Sequence, residues 1–419
     1  MPPDLEFEEA VRYLLSLGHE TLSIKLGLET IERLLCALNH PQQKFQSVQI
    51  AGTNGKGSTA AMVNQICLSA GIKTGLYTSP HLVSITERIR INGEQITQAD
   101  FARIAARVRE AANELKLQDG ALPTFFEQVT AIALVAFAEM NVDLAILETG
   151  LGGRLDATTA ARAKIAALTQ IDYDHQEYLG NTLELIAAEK VAIVRPDSIF
   201  ITTRQNPEVM RVIESHCREV GTRPVISGGS LKVNGADTQG HMRVQLCCED
   251  MTGDEFILGL RGRHQISNAS LAVDIARALG TYGFRIDDRS IMHGLEHARH
   301  PGRLELIKVD DTKPALLFDG AHNPAGALTL HDFLQEFIKG PVTMIFGAMK
   351  DKEIYAMAKT LFSRAAIVIL TQVSNPRTAM TADLVTICQG LADSDDAELP
   401  ETISTGSPLE AMNIAMNRT

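Results

Sequence analysis

Short apolar runs alternate with helical periodicities between Val48 and about Arg195. SVQIA (47–51) reads as a strand, and a Gly-rich turn leads from it into a helix over 58–70 that Gly71 closes. DLAILE (143–148) and KIAALTQI (164–171) are near-continuous apolar runs, the pattern of parallel strands buried on both faces. FEQVTAIALVAFAEM (126–140) is the helix before the first of them. Such alternation predicts an α/β domain with a mostly parallel sheet. Over 225–260 the pattern changes: LKVNG, HMRVQLC and EFILGL alternate apolar and polar residues around Asn234-Gly235 and Gly253-Asp254, which predicts a small antiparallel sheet. A helix is expected at about 268–279 with Ser267 as its N-cap. Beyond a boundary at about residue 297, ALLFDG (315–320), TMIFGA (343–348) and AIVILTQ (366–372) read as strands. With helices near 325–338 and 352–363, they predict a small doubly wound α/β domain. No internal repeat is visible, and DSDDAELPE (393–401) reads as a solvated acidic loop.

The 419 residues suit two or three domains, and 45% hydrophobic with 21% charged residues is a globular composition. Lys+Arg 39 against Asp+Glu 51 gives a net charge of −12, which argues against a general polyanion binder and leaves room for a local anion site. No nucleic-acid partner is expected. Six cysteines (Cys36, Cys67, Cys217, Cys247, Cys248, Cys388) form no CxxC pair, the acidic N-terminus lacks the marks of a secretion signal, and no apolar run spans a bilayer. A cytoplasmic protein without a membrane partner is the expectation.

Candidate chemistry collects where predicted strands end. Gly52-Thr53-Asn54-Gly55-Lys56-Gly57-Ser58-Thr59 follows a strand and opens a helix, the context of a phosphate-binding loop. Its glycines let backbone N–H groups turn inward, Lys56 can reach phosphate oxygens, and Ser58 or Thr59 can touch Mg²⁺. It is not a strict Walker A, since two residues separate Gly52 from Gly55 and Gly57 follows the lysine. Glu148 ends the second strand, where a nucleotide enzyme places a carboxylate for a hard metal, although a solvated strand-end acid has the same pattern. His175 follows the third strand, and a lone histidine there is as well explained by a surface role. Lys190 falls on the apolar side of a helix over 182–194, so it either snorkels outward or has a partner in the site. Asp319 and His322 follow a strand in the second domain, and Arg303 supplies a cation from Pro301-Gly302-Arg303.

Together AGTNGKGST, YTSPHL (77–82), ETGLGGRLDAT (148–158), DYDHQEYLG (172–180), EK (189–190), GRHQISNA (262–269), PGR (301–303), DGAHNP (319–324) and FGAMKDKE (346–353) resemble folylpolyglutamate synthase, commonly bifunctional with dihydrofolate synthase in bacteria, of the Mur-ligase superfamily. The resemblance implies an N-terminal P-loop-containing ATPase domain (1–296) with a parallel sheet and a small antiparallel subsheet. It implies a C-terminal Rossmann-like glutamate-ligase domain (297–419), with catalysis in the cleft between the two. ATP would be held by Gly52 through Thr59, with Asn268, Arg303, Asp319 and His322 contacting the nucleotide. Two Mg²⁺ are implied, one on Ser58 and Glu148 and one on Ser79, Glu148 and His175. Lys190 resembles the lysine that family members carry as a carbamate, and Thr124, Phe126 and Asp156 resemble the pterin-binding region. Of Phe125 and Phe126, one is expected in the core.

The implied chemistry activates a folate or dihydropteroate carboxylate as an acyl phosphate, which the amine of L-glutamate then attacks. Lys56, Glu148, His175 and Lys190 are the residues expected to carry it, in a monomer whose partners are small molecules. Alternatives are a Mur-type peptidoglycan ligase, a P-loop kinase and a non-catalytic ATP-binding protein. Two departures stand out: Ala188 and Val191 flank the Glu-Lys pair where the family often has Arg and Ala, and the last residues, PLEAMNIAMNRT, end in a helix that relatives follow with a further strand.

Overall fold

In this computed structural model residues 6–18, 27–120, 122–247, 252–308, 313–394 and 400–418 are described. Cys248, the first five residues and the middle of the acidic stretch, 395–399, lie outside them. The chain divides into two compact units, one of Met1–Gly235, Arg243–Gly259 and Gln265–His300, the other of Ala236–Met242, Leu260–His264 and Pro301–Thr419.

The first unit starts with helices α1 (Phe7–Ser16) and α2 (Glu29–Ala37). Then come β1 (Gln46–Ala51), α3 (Lys56–Ser69), β2 (Thr74–Tyr77), β3 (Ile89–Ile91), β4 (Glu94–Gln95), α4 (Gln98–Asp119), α5 (Phe125–Glu139) and β5 (Leu144–Glu148). They are followed by β6 (Ile165–Leu168), α6 (Gln176–Leu179), α7 (Leu183–Val191), β7 (Ile199–Thr202), α8 (Pro207–Val220) and β8 (Pro224–Ile226). Eight strands form one sheet in the order β4-β3-β2-β5-β1-β6-β7-β8, parallel from β2 to β8, with β3 and β4 antiparallel at one edge. Every residue of β5 and β6 is buried, which is why both read as unbroken apolar runs. Asn92-Gly93 closes the β3–β4 hairpin with both φ positive (52° and 90°), a twist that matches the flanking strands.

One apolar layer joins α1, α2, α4 and α5 to Ala145 and Leu147 of the sheet, and a second joins α6, α7 and α8 to Ala166 and Leu168. α3 is buried on almost all sides, between the sheet and the helices α9 (Gln265–Leu279) and α10 (Asp288–His297). α9 begins three residues before the expected start, so Ser267 lies inside it rather than capping it. Its extra turn is drawn out by tertiary contact: Gln265 Nε2 donates to Ser58 Oγ at 3.4 Å, and Asn268 Nδ2 donates to Gln265 Oε1 at 2.9 Å.

The predicted small sheet is present as β9 (Leu231–Ala236), β10 (His241–Cys247) and β11 (Thr252–Arg261), in the order β11-β10-β9. Its turns are not where the Gly pairs suggested. Asn234-Gly235 and Gly253-Asp254 both lie inside strands, and the β9–β10 reversal falls at 237–240, where Asp237 Oδ1 accepts from the backbone N–H of Gln239 and His241.

In the second unit β12 (Glu305–Ile307) and β13 (Leu316–Phe318) form an antiparallel pair of their own. The run 315–320 therefore does not join the parallel sheet that the sequence assigned it to. That sheet is β14 (Thr343–Phe346), β15 (Ile367–Leu370) and β16 (Glu401–Ser404), connected through α12 (Ile354–Phe362) and α13 (Thr381–Ser394) after α11 (Pro324–Phe337). Helices α11 to α13 cover the face bearing Val368 and Leu370, and α14 (Pro408–Arg418) covers the face bearing Ile369 with Ala411, Ile414 and Ala415. Leu409, in the first turn of α14, is 73% exposed.

Gly294 of α10 lies so close to α3 that a Cβ would overlap the Ile66 backbone. A Gly→Ala change inside a free helix stabilises by about 1 kcal/mol. Here Gly294→Ala is expected to destabilise by about 1–3 kcal/mol, as overpacking does, and urea unfolding reads the sign.

Candidate active site

β1 delivers the chain into the turn 52–55, and α3 starts at Lys56. Gly52 (φ 139°) and Gly55 (φ 93°) hold conformations that an L side chain rarely adopts. The turn is anchored from β6: Thr53 N–H donates to Gln170 O at 2.9 Å, and Thr53 Oγ1 accepts from Asp172 N–H at 3.0 Å. Asn268 packs on Gly55 so closely that a Cβ there would overlap its amide. The structure thus joins Asn268, 213 positions away by number (268 − 55), to the loop. Lys56 folds back over the loop, its Nζ donating to Gly52 O at 3.2 Å and Thr53 O at 3.0 Å.

Lys190 reaches the same carbonyl, Nζ to Gly52 O at 2.9 Å. It is 5% exposed, and burial, helped by the charge of Lys56, pulls its pKa down to about 7 against the opposing pull of Asp174, Asp156 and Glu189. The helical spacing left its direction open; it points inward, at the loop. His175 and Asp174 follow β6, with His175 N–H donating to Asp174 Oδ1 at 2.9 Å and His175 Nε2 3.8 Å from Asp174 Oδ2.

Glu148 is the last residue of β5 and is buried. Its Oε2 accepts from Ser79 N–H at 3.1 Å; a Cβ at residue 57 would overlap the His300 ring, 2.5 Å from its Cε1, and stand 3.2 Å from Glu148 Oε1, so glycine at 57 makes room for both beside the helix start. Ser58 Oγ lies 3.3 Å from His300 Nδ1. Thr59 Oγ1 is buried with no hydrogen-bond partner.

The loop after Glu148 is held by a buried network. Asp156 Oδ2 accepts from the N–H groups of Gly150 (3.0 Å) and Leu151 (2.9 Å), and Oδ1 from Thr158 N–H (3.0 Å) and Thr158 Oγ1 (2.5 Å). Burial pushes its pKa up while these four donors pull it down. Its oxygens are committed to the loop, so a direct hold on a ligand is not what this geometry offers. Gln49 Nε2 reaches into the same loop, 3.0 Å from Thr158 Oγ1 and 2.7 Å from Thr159 Oγ1. At Gly153 a Cβ would stand 2.8 Å from Glu189 O and 2.9 Å from Lys190 O, so the glycine lets loop and α7 touch backbone to backbone. Thr124 caps α5 in a reciprocal box with Glu127. Phe125 is in the core, while Phe126 is half-buried against Gly150 and 6.1 Å from the Tyr77 ring.

In the second unit Asp319 accepts from the N–H groups of Leu304 and Ala321, both at 2.9 Å, and burial raises its pKa. His322 Nδ1 lies 2.7 Å from Gly320 O, and Arg303 packs on Gly320. His264, which the sequence reading did not single out, has its pKa pulled down to about 4 by burial and then by Arg303.

Residues 50–276 match the Mur ligase middle domain and 302–416 the Mur ligase glutamate ligase domain. A dihydrofolate synthase/folylpolyglutamate synthase of Bacillus subtilis is 32% identical over 88% of this chain and 86% of its own length. The chain belongs to the folylpolyglutamate synthase/dihydrofolate synthase family of Mur ligases. A probable bifunctional folylpolyglutamate synthase/dihydropteroate synthase of Haloferax volcanii is 35% identical over 87% of the chain, which spans only 43% of that longer relative. A Mycobacterium tuberculosis folylpolyglutamate synthase, solved with ADP and AMPPCP, superposes with a TM-score of 0.86 at 29% identity, covering 97% of this chain and 92% of its own. A bifunctional folylpolyglutamate synthase/dihydrofolate synthase with Mn, AMPPNP and L-glutamate bound superposes at 0.79 and 28% identity, covering 98% and 92%.

Within this Mur-ligase fold the site residues that sequence reasoning missed are polar partners of the obvious ones: Gln49, Gln170, Asp174, Gln265 and His300. Gln49 carried a signal as a polar residue at an inward position of a buried strand, and Asp174 and Gln265 lie within the motifs DYDHQEYLG and GRHQISNA without having been singled out.

The Lys190 pKa sets a testable sign. Between the folded value of about 7 and the ordinary lysine value of ~10.4, the unfolded chain binds the proton that the folded chain has lost, so stability rises with pH across that window. Lys190→Met removes this dependence. In CO₂-free buffer the variant is expected to exceed the wild type most near pH 7, with the gap closing by about pH 10.4, as measured by denaturant titration at each pH.

Proposed function

We propose that this chain is an ATP-dependent amide-bond ligase that joins L-glutamate to a folate, and to dihydropteroate, through an acyl phosphate. The observation that carries the reading is the meeting of Lys56, Lys190, Ser58 and Glu148 around the turn 52–55, two cations and two oxygen donors on a backbone-lined loop. The functional division proposed is 1–296 for ATP and 297–419 for the ligase portion.

The substrate carboxylate attacks the γ-phosphorus of ATP, ADP departs, and the amine of glutamate then displaces phosphate from the acyl carbon. Both reactants in the first step are anions, so the chain must first lower their repulsion. The N–H groups opening α3 and the Lys56 ammonium hold the phosphates, with Asn268 beside them and Arg303, Asp319 and His322 proposed as nucleotide contacts in the second unit. The Ser58 hydroxyl and the Glu148 carboxylate, hard oxygen donors, would hold one Mg²⁺, and Ser79 and Glu148 with the His175 imidazole, a softer donor, would hold another. Among the described residues no three His, Cys, Asp or Glu side chains gather to hold an ion by themselves, in keeping with sites completed by hydroxyl and phosphate oxygens. When bound, the metal neutralises charge on the phosphates. A pKa near 7 leaves part of Lys190 as neutral amine, the form that takes up CO₂, so the residue fits a carbamate. Phe126 offers a ring face for a pterin, Thr124 fixes the start of its helix, and Asp156 acts by shaping the loop beside it.

No helix among the described residues is long and apolar enough to cross a membrane, and the proposed partners are small molecules, with a monomer as the working unit.

Phosphate release from ATP that requires both L-glutamate and either tetrahydrofolate or dihydropteroate is the expected result; release with neither acceptor, or only with a UDP-sugar substrate, overturns the reading. Lys56→Ala is expected to lower kcat/KM by at least ~10² without lowering the melting temperature. Glu148→Gln keeps the shape and removes the charge, so its activity should collapse and its Mg²⁺ requirement should shift to higher concentration.

A further inference from the structure

Gln49, inside β1, is 1% exposed, and its Nε2 stands 2.7 Å from Thr159 Oγ1, 3.0 Å from Thr158 Oγ1 and 3.2 Å from Thr149 Oγ1, all in the segment between β5 and β6. Proton directions fix how the amide must face. The carbonyl Gly153 O can only accept, so Thr159 Oγ1, 2.7 Å away, donates to it. Asp156 as a carboxylate can only accept, so Thr158 Oγ1, 2.5 Å from its Oδ1, donates to it. Each hydroxyl has then given its one proton, and both can only accept from residue 49. Two N–H donors on one buried nitrogen are what the two short contacts require, and the Gln49 amide supplies them.

We propose that Gln49 is a positioning residue for the folate side of the site, holding the segment 149–159 against Phe126 through Thr158 and Thr159, and not for the bound nucleotide. This rests on the reading of Phe126 as the ring face that takes a pterin. The path is short and buried. Thr158 holds Asp156 Oδ1, Asp156 Oδ2 holds the Gly150 and Leu151 N–H groups, and Gly150 lies so close to Phe126 that a Cβ there would stand 2.6 Å from the ring's Cζ. A small displacement of the segment is therefore felt at the ring. The phosphate loop, although β1 leads straight into it, takes its anchors from the other neighbour of that strand: Thr53 N–H donates to Gln170 O, and Asp172 N–H to Thr53 Oγ1, both beyond β6. Gln49 reaches towards the β5 side, so the two sides of β1 tie down two different loops. Satisfied buried polar networks of this kind specify one arrangement, and a missing donor leaves both hydroxyls short of a partner.

The test uses the full chain and three changes: Gln49→Met, which keeps the length and removes both donors; Thr158→Val with Thr159→Val, which removes the hydroxyls; and Thr158→Ser with Thr159→Ser, which keeps them. The expected result is a KM for tetrahydrofolate or dihydropteroate raised about tenfold or more in the first two, with a smaller change in kcat. ATP affinity by calorimetric titration should match the wild type, and the serine pair should restore the wild-type KM. Hydrogen exchange at the Gly150 and Leu151 amides should quicken while that of Thr53 holds. ATP affinity falling in step with the KM overturns the proposal, as does a serine pair as impaired as the valine pair, or unchanged exchange at Gly150 and Leu151. Should Gln49→Met fail to fold, the two threonine pairs carry the same comparison. A wild type without glutamate-dependent phosphate release tells against the functional reading alone; the ATP titration and the exchange still decide which loop Gln49 holds.

Discussion

The register of three parallel strands is the constraint on which the site depends. Ile50 of β1 pairs with Glu148 of β5, and Ala51 of β1 pairs with Leu168 of β6. The three strands therefore end within a residue or two of one another, and the turns that follow them, 52–55, 149–158 and 169–175, have to share one edge. A one-residue slip of β5 would turn Glu148 to the other face and bring Leu147 or Thr149 into its place. Glu148 meets Gly57, and Lys190 meets Gly52, because the strands deliver the loops in step.

The loops can share that edge only because side chains are absent where backbones meet. Gly57 clears the His300 ring, Gly55 clears Asn268, and Gly153 lets the loop after β5 lie on the end of α7. The polar groups enclosed by this packing are then paired internally, Asp156 with four donors and Gln49 with the threonines of the same loop. Buried polar groups left unpaired cost more than such pairs gain, so the network specifies the loop conformation more than it adds stability.

Charge is arranged against the sign of the whole. In a chain of net charge −12, the side-chain nitrogens of Lys56 and Lys190 converge on one carbonyl oxygen of Gly52. Burial first, and the charge of Lys56 after it, lowers the affinity of Lys190 for its proton. An anion placed there is favoured by the Lys56 charge at short range and by the helix N-terminus behind it.

The sequence by itself determined the elements and the edge. Near-continuous apolar runs at 143–148 and 164–171 pointed to strands covered on both faces, and the glycines with a lysine pointed to a turn from strand into helix, so the fold class and the places of Lys56 and Ser58 at a helix start and of Glu148 at a strand end were legible. It did not determine direction or partnership. The inward aim of Lys190, the capture of Asn268 by Gly55, the commitment of Asp156 to its own loop and the role of His300 beside Ser58 each depend on residues distant in sequence. The same limit misplaced smaller features. Asn-Gly makes a turn at 92–93 yet runs through β9 at 234–235, and Ser267, a good cap by type, lies within α9 because Gln265 is held at Ser58. Local pattern fixes what a segment can become, since propensity and periodicity act over a few residues. Which side chain meets which backbone is decided by packing between segments, and that only tertiary structure supplies.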